Sequence, residues 1–183
     1  MPKAVFFDRD GVINKAMVRE GKPYPPSDLG ELVLADEVRP VLQKLKESAY
    51  LLIVVTNQPD VARGSQTRER VEEMNRFLLR ELPLDDILTC YHDTEAHCQC
   101  RKPKPGLILQ GAQQYHLDLA ASFLIGDRWK DIEAGRRAGC RTIFIDYEYS
   151  EKQPDKPDYR VTTLMEALSI ILKPPARGGH PGA

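Results

Sequence analysis

Two aspartates two residues apart, Asp8 and Asp10, close a short apolar run, Ala4-Val5-Phe6-Phe7. In a strand, residues i and i+2 face the same side, and like charges held so close are costly unless a cation or a proton relieves them. Similar polar groups follow two later apolar runs. Thr56-Asn57-Gln58 comes after residues 51–55, and Gly126-Asp127-Arg128-Trp129-Lys130-Asp131 after residues 123–125. Arg101-Lys102-Pro103-Lys104-Pro105-Gly106 adds cations. Three carboxylates on one rim, Asp8, Asp10 and Asp127, suit a hard divalent cation of the magnesium type that also accepts a phosphate oxygen. Taken alone, Asp131 reads as readily as the cap of the helix it opens, and Lys102 as a solvated lysine before a proline.

A second group is chemically unlike the first. Cys90-Tyr91-His92 and Cys98-Gln99-Cys100 form a C-x-H…C-x-C pattern. Three thiolates and one imidazole match a closed tetrahedral zinc site, and closed sites are structural. His97 directly precedes Cys98 and breaks the paired spacing, so the expected ligands are Cys90, His92, Cys98 and Cys100. Their expected role is to pin the loop that presents Arg101 and Lys102. Cys140 reads as packing.

These groups need a scaffold. Residues 4–7, 51–55, 87–91, 123–125 and 142–145 read as buried strands, being short, apolar and mostly branched or aromatic. Between them, residues 38–48, 67–80, 107–115, 131–138 and 164–172 have helical patterns. Strand–helix alternation predicts an α/β fold with a mainly parallel central sheet and helices on both faces. Ligands of such sheets bind beyond the carboxyl ends of the strands, which is where the polar groups fall. Residues 14–36 read as a long functional loop, and 147–159 as a surface excursion. Residues 1–173 read as one domain, and the Pro- and Gly-rich 174–183 as a disordered tail.

The ordered set Asp8-Arg9-Asp10-Gly11-Val12-Ile13-Asn14, Thr56-Asn57-Gln58, Cys100-Arg101-Lys102-Pro103 and Gly126 to Asp131 resembles the haloacid dehalogenase (HAD) superfamily, subfamily IIIA. Within it the match is to the phosphatases of D-glycero-D-manno-heptose 1,7-bisphosphate and of histidinol phosphate, over roughly residues 3–172. The resemblance implies a Rossmann-like HAD fold without a large cap. It implies a magnesium-dependent phosphomonoesterase with Asp8 as nucleophile and Asp10 as general acid and base. Thr56 and Asn57 would hold the phosphoryl group, with Lys102 beside it. Asp8, the Asp10 backbone carbonyl and Asp127 would ligate magnesium, supported by Asp131. It implies the zinc loop as well. Arg128 stands where the heptose enzymes usually carry lysine.

The run from Thr56 through Gly64 resembles the heptose enzymes, whereas the short loop between His92 and Cys98 resembles histidinol-phosphate phosphatases. The substrate order is therefore heptose 1,7-bisphosphate, then histidinol phosphate, then another sugar phosphate. A bisphosphate needs a second anion site. Arg101 is the first candidate, followed by Arg63 and by Arg19 or Lys22; Gln58 and Arg128 complete the substrate-binding set.

Composition excludes other classes. A chain of 183 residues with 42% hydrophobic content can bury a core. A formal charge of −1 gives no basic field for nucleic acid, which sets aside a polynucleotide 3′-phosphatase. No run of about 18 apolar residues spans a membrane, and the N-terminus does not read as a signal peptide. The expectation is a cytoplasmic enzyme, monomeric, acting on a small phosphorylated metabolite.

Overall fold

A computed structural model describes residues 1–173 of the chain. The tail expected at 174–183 lies outside the described residues. Six strands form one parallel sheet: β1 (Lys3–Phe7), β4 (Tyr50–Asn57), β5 (Asp86–Cys90), β6 (Phe123–Gly126), β7 (Arg141–Ile145) and β8 (Tyr159–Val161). Their order is β5-β4-β1-β6-β7-β8. The chain runs outward from β1 through β4 to β5, then returns to the other side of β1 for β6, β7 and β8. The order therefore reverses between β1 and β6, and the crevice at such a reversal is the usual ligand site of this architecture.

Helices cover both faces, and this explains the near-continuous apolar runs of the central strands. In β1, Val5 and Phe7 join one core and Ala4 and Phe6 the other. The first core takes Val38, Val41, Leu42 and Leu45 of α1 (Val38–Glu47), Leu78 of α2 (Arg68–Glu81) and the apolar stripe of α5 (Leu164–Ile171). The second takes Leu107 and Ile108 of α3 (Gly106–Tyr115) and Ala134 of α4 (Trp129–Ala138). In α1 and α5, spacings of three and four put the apolar residues on one helical face. Thr67 and Thr163 cap α2 and α5 by accepting from the amides of Arg70 and Glu166.

Two stretches differ from expectation. Residues 14–36 contain a short antiparallel hairpin, β2 (Met17–Arg19) and β3 (Lys22–Tyr24), turning through Glu20 and Gly21, both at positive φ. Residues 147–159 end in β8. There Asp158 accepts from the Thr142 amide (2.7 Å) and hydroxyl (2.8 Å) and lays the returning chain along β7. The amide of Ser150 donates to the Gly21 carbonyl (2.8 Å), so hairpin and excursion meet above the strand ends.

Candidate active site

Register places the acids. Phe7 lies opposite Val54 on β4 and Ile125 on β6, so Asp8 emerges level with Val55 and Gly126. Asp8, Asp127 and Asp131 each offer a carboxylate oxygen, all within 4.8 Å of one another, and all three are buried. Small residues allow this approach. A Cβ on Gly11, whose φ is +106°, would fall 1.9 Å from Asp127 Oδ2, and one on Gly126 would fall 2.2 Å from the Asp131 Cβ.

The third acid of the cluster is thus Asp131, not the Asp10 side chain that sequence spacing suggested. The Asp10 carboxylate is turned toward four N–H donors: Arg9 Nε (3.1 Å) and Nη2 (3.2 Å), Asn14 Nδ2 (3.0 Å) and Gln58 Nε2 (2.8 Å). Spacing brought Asp10 to the rim, but Arg9 draws its carboxylate away from the other acids. Asp131 serves twice. Its Oδ2 accepts from the Arg128 amide (3.0 Å), capping α4, and its Oδ1 pairs with Lys102 Nζ (2.7 Å).

Lys102 ties the centre together. Its ammonium, only 3% exposed, also lies 2.7 Å from Asp8 Oδ1 and donates to the Val55 carbonyl (2.7 Å). Burial alone would lower its pKa, but the charges of Asp131 and Asp8 hold it above the ordinary lysine value. Burial and the Asp131 charge, partly offset by Lys102, raise Asp8 to about 6. Burial and the charges of Asp8 and Asp131 push Asp127 well above the usual carboxylate range. Both Asp127 carboxylate oxygens are buried without a hydrogen-bond partner. Orphaned carboxylate oxygens beside two further acids fit a magnesium-type cation.

A cleft of about 340 Å³ opens over this centre, lined by Asp8, Asp10, Thr56, Asn57, Arg63, Arg101, Lys102, Arg128, Lys130 and Asp131, with Lys22 to Pro25 as an outer wall. Two expected residues lie behind it. Asp127 sits beneath the cleft. Gln58, expected to bind substrate, is 2% exposed and donates to Asp10 and to Thr56 Oγ1 (3.0 Å). With its oxygen occupied as an acceptor, the Thr56 hydroxyl keeps its proton for a ligand. Asn57 Nδ2 donates to the Lys102 carbonyl and its Oδ1 accepts from the Lys102 amide, both at 3.0 Å, so it positions the lysine. Arg63 pairs with Asp93 (2.7 and 2.8 Å), and Arg128 Nε with Glu151 (2.9 Å). Arg19 does not line the cleft and instead lies over the Tyr24 ring.

Arg9 and Asn75 were not legible as site residues. Arg9 is fully buried, and its Nη1 donates to Asn75 Oδ1 (3.0 Å) on α2. The available signal was Asn75 itself, a polar residue on the apolar stripe between Val71 and Leu78.

The sulfur cluster forms at the end of β5. The donor atoms of Cys90, His92, Cys98 and Cys100 lie within 4.8 Å of one another. Cys90 Sγ is 3.8 Å from Cys98 Sγ and 3.2 Å from Cys100 Sγ, and His92 Nδ1 is 3.3 Å from Cys100 Sγ. Metal–sulfur bonds of about 2.3 Å in a tetrahedron imply edges near 3.8 Å, so the four groups fit zinc. All four cysteines are free thiols, and His97 caps a neighbouring turn outside the cluster. Cys140 is packed in the second core, and burial raises its thiol to about 12.

Comparison with known proteins matches residues 99–168 to the family model described as HAD-hyrolase-like. The chain is 35% identical over 156 residues to the D-glycero-beta-D-manno-heptose-1,7-bisphosphate 7-phosphatase of Pasteurella multocida, covering 79% of this chain and 82% of that protein. It is 33% identical to the enzyme of that name from Salmonella typhi, covering 93% and 95%. Among solved structures, a D,D-heptose 1.7-bisphosphate phosphatase from B. bronchiseptica, complexed with magnesium and phosphate, superposes with a TM-score of 0.79. The identity there is 24%, over 93% of this chain and 98% of that one, so this likeness speaks to the fold.

Proposed function

The chain belongs to the HAD phosphatases that include the D-glycero-beta-D-manno-heptose-1,7-bisphosphate 7-phosphatases, and on that premise we propose that it removes the 7-phosphate of D-glycero-β-D-manno-heptose 1,7-bisphosphate through a phospho-aspartate at Asp8. The observation that carries this reading is the convergence of Asp8, Asp127 and Asp131 around Lys102 at the floor of the cleft.

Asp8 Oδ1 is held by Lys102 and by the Arg9 amide (2.8 Å), which leaves the second oxygen to attack phosphorus. The bond between phosphorus and the ester oxygen breaks, and Asp10 gives its proton to the leaving alkoxide. Asp10 then takes a proton from the water that attacks the phospho-aspartate, releasing phosphate and restoring Asp8. Arg9, Asn14 and Gln58 fix Asp10 for both transfers. The Thr56 hydroxyl and the Lys102 ammonium stabilise the phosphoryl oxygens. Asp8, Asp127 and the Asp10 carbonyl, supported by Asp131, would hold magnesium, which when bound would supply positive charge against the repulsion between carboxylate and phosphate. Cys90, His92, Cys98 and Cys100 would hold zinc, which would fix the loop that carries Arg101 and Lys102.

The reading makes the protein an enzyme of cytoplasmic carbohydrate metabolism that acts as a monomer. No helix of the described residues is long and apolar enough to cross a membrane. A phosphate-release assay with magnesium, on heptose 1,7-bisphosphate, histidinol phosphate and common sugar phosphates, tests it. The heptose bisphosphate should give the highest kcat/KM. A clear win for histidinol phosphate sinks the substrate and spares the mechanism, whereas no release from any of them sinks both.

A further inference from the structure

Asn75 of α2 does not line the cleft, yet side-chain bonds tie it to the cleft's chemistry. It is 4% exposed, on the stripe that also buries Val71, Met74 and Leu78. A buried amide on an apolar stripe is costly unless its polar atoms find partners. Here they do. Its Oδ1 accepts from Arg9 Nη1 (3.0 Å), and its Nδ2 donates to Thr89 Oγ1 (3.1 Å) on β5, where Thr89 lies opposite Thr56 in the sheet register. Arg9 is itself fully buried. Its other two guanidinium nitrogens donate to the two Asp10 oxygens, Nε to Oδ1 (3.1 Å) and Nη2 to Oδ2 (3.2 Å). An unbroken line of bonds thus runs from β5 through α2 to Asp10.

We infer that Asn75 is a positioning residue for the general acid and base: it fixes the Arg9 guanidinium and, through it, the Asp10 carboxylate. The inference rests on the role given to Asp10 above. A planar guanidinium that gives a carboxylate two parallel bonds dictates the plane of that carboxylate. Asn14 and Gln58 each bond to one Asp10 oxygen, so the fork of Arg9 is the contact that sets the plane. Held by Asp10 alone, the fork could turn together with its partner. A third bond at Nη1, from a helix packed on the core, removes that freedom. Asp10 must reach the ester oxygen in the first step and a water in the second, and both transfers need hydrogen-bond geometry. A misplacement of about 1 Å, caused by a change far from the chemistry, can cost about a hundredfold in rate.

The test is a double-mutant cycle on steady-state kcat, read on heptose 1,7-bisphosphate and on p-nitrophenyl phosphate. Asn75→Leu keeps the apolar stripe of α2 and removes both bonds. Its kcat should fall about tenfold with KM little changed. In the Asp10→Asn background the same substitution should cost less than about twofold, because the group it positions is already gone. Thr89→Val removes only the outer bond and should show the same pattern at about threefold; it carries the test if Asn75→Leu does not fold. Equal losses in both backgrounds overturn the inference, as does an unchanged kcat in the single variants. If only p-nitrophenyl phosphate is turned over, the heptose reading falls and the cycle on that ester still decides Asn75. If Asp10→Asn alone leaves kcat unchanged, the role of Asp10 falls and that of Asn75 with it.

Discussion

The acid centre and the sulfur cluster are both groups of metal-ligating side chains, yet they are built in opposite ways. Asp8 follows β1, Asp127 follows β6 and Asp131 sits in the first turn of α4, the last two over a hundred residues from the first, and all are buried. The sheet brings them together, so the fold bears the cost of their mutual repulsion. Cys90 ends β5, His92, Cys98 and Cys100 lie in the loop that follows it, and only Cys90 is buried. Lys104 bonds to the carbonyls of His97 and Cys98, and Arg63 pairs with Asp93, but a metal on the four ligands would be the strongest tie within that loop. Loss of a carboxylate should therefore strike chemistry and spare stability, whereas loss of a thiolate should do the reverse.

The largest expected effect is Asp8→Asn, which should lower kcat by about 10⁴-fold or more, since the attacking oxygen is lost. Its melting temperature should stay within a few degrees of wild type; a collapse of the fold would erase the contrast. Cys98→Ala should lower the melting temperature by about 5–10 °C and abolish stoichiometric zinc by elemental analysis. The kcat of the folded fraction should drop less than about tenfold. An equal loss of kcat in both variants would mean that the loop is catalytic. Gln58→Leu removes one donor from Asp10 and should reduce kcat roughly tenfold with KM little changed, whereas a change in KM alone would mark Gln58 as a substrate ligand.

The smallest effect is in pH. Asp8 is raised from 3.8 to about 6 in the metal-free fold, so the folded state binds the proton more tightly than the unfolded chain. That contribution is complete below the unfolded value and lost as pH rises toward about 6. Magnesium needs the ionised carboxylates, so the melting-temperature gain it gives should grow by a few degrees between about pH 5 and pH 7. A gain that is flat across that range would break the link between the acids and the cation.

Much of this was legible in the sequence, and unevenly. Continuous apolar runs located β1, β4, β6 and β7, because strands buried on both faces tolerate little else, and the shorter apolar run of β5 located that edge strand. The sulfur cluster was readable from spacing alone, because its ligands are local. β2, β3 and β8 escaped because three-residue strands have no period, and β3 carries Pro23 at its centre. Whether Arg63 and Arg128 were free or paired depended on Asp93 and Glu151, each more than twenty residues away. The buried pairing of Arg9 with Asn75 crosses 66 residues and leaves no local pattern.

The reciprocal bonds between Asn57 and the backbone of Lys102 have a consequence for the ageing of the protein. They resemble one rung of a strand ladder made with a side-chain amide, and they work only while that amide keeps both its oxygen and its nitrogen. Deamidation of Asn57 would leave the shape almost untouched but set a carboxylate oxygen against the Lys102 carbonyl. A gain of a single mass unit, invisible to most tests of folding, would loosen the lysine that bonds to Asp8, Val55 and Asp131 at three strand ends.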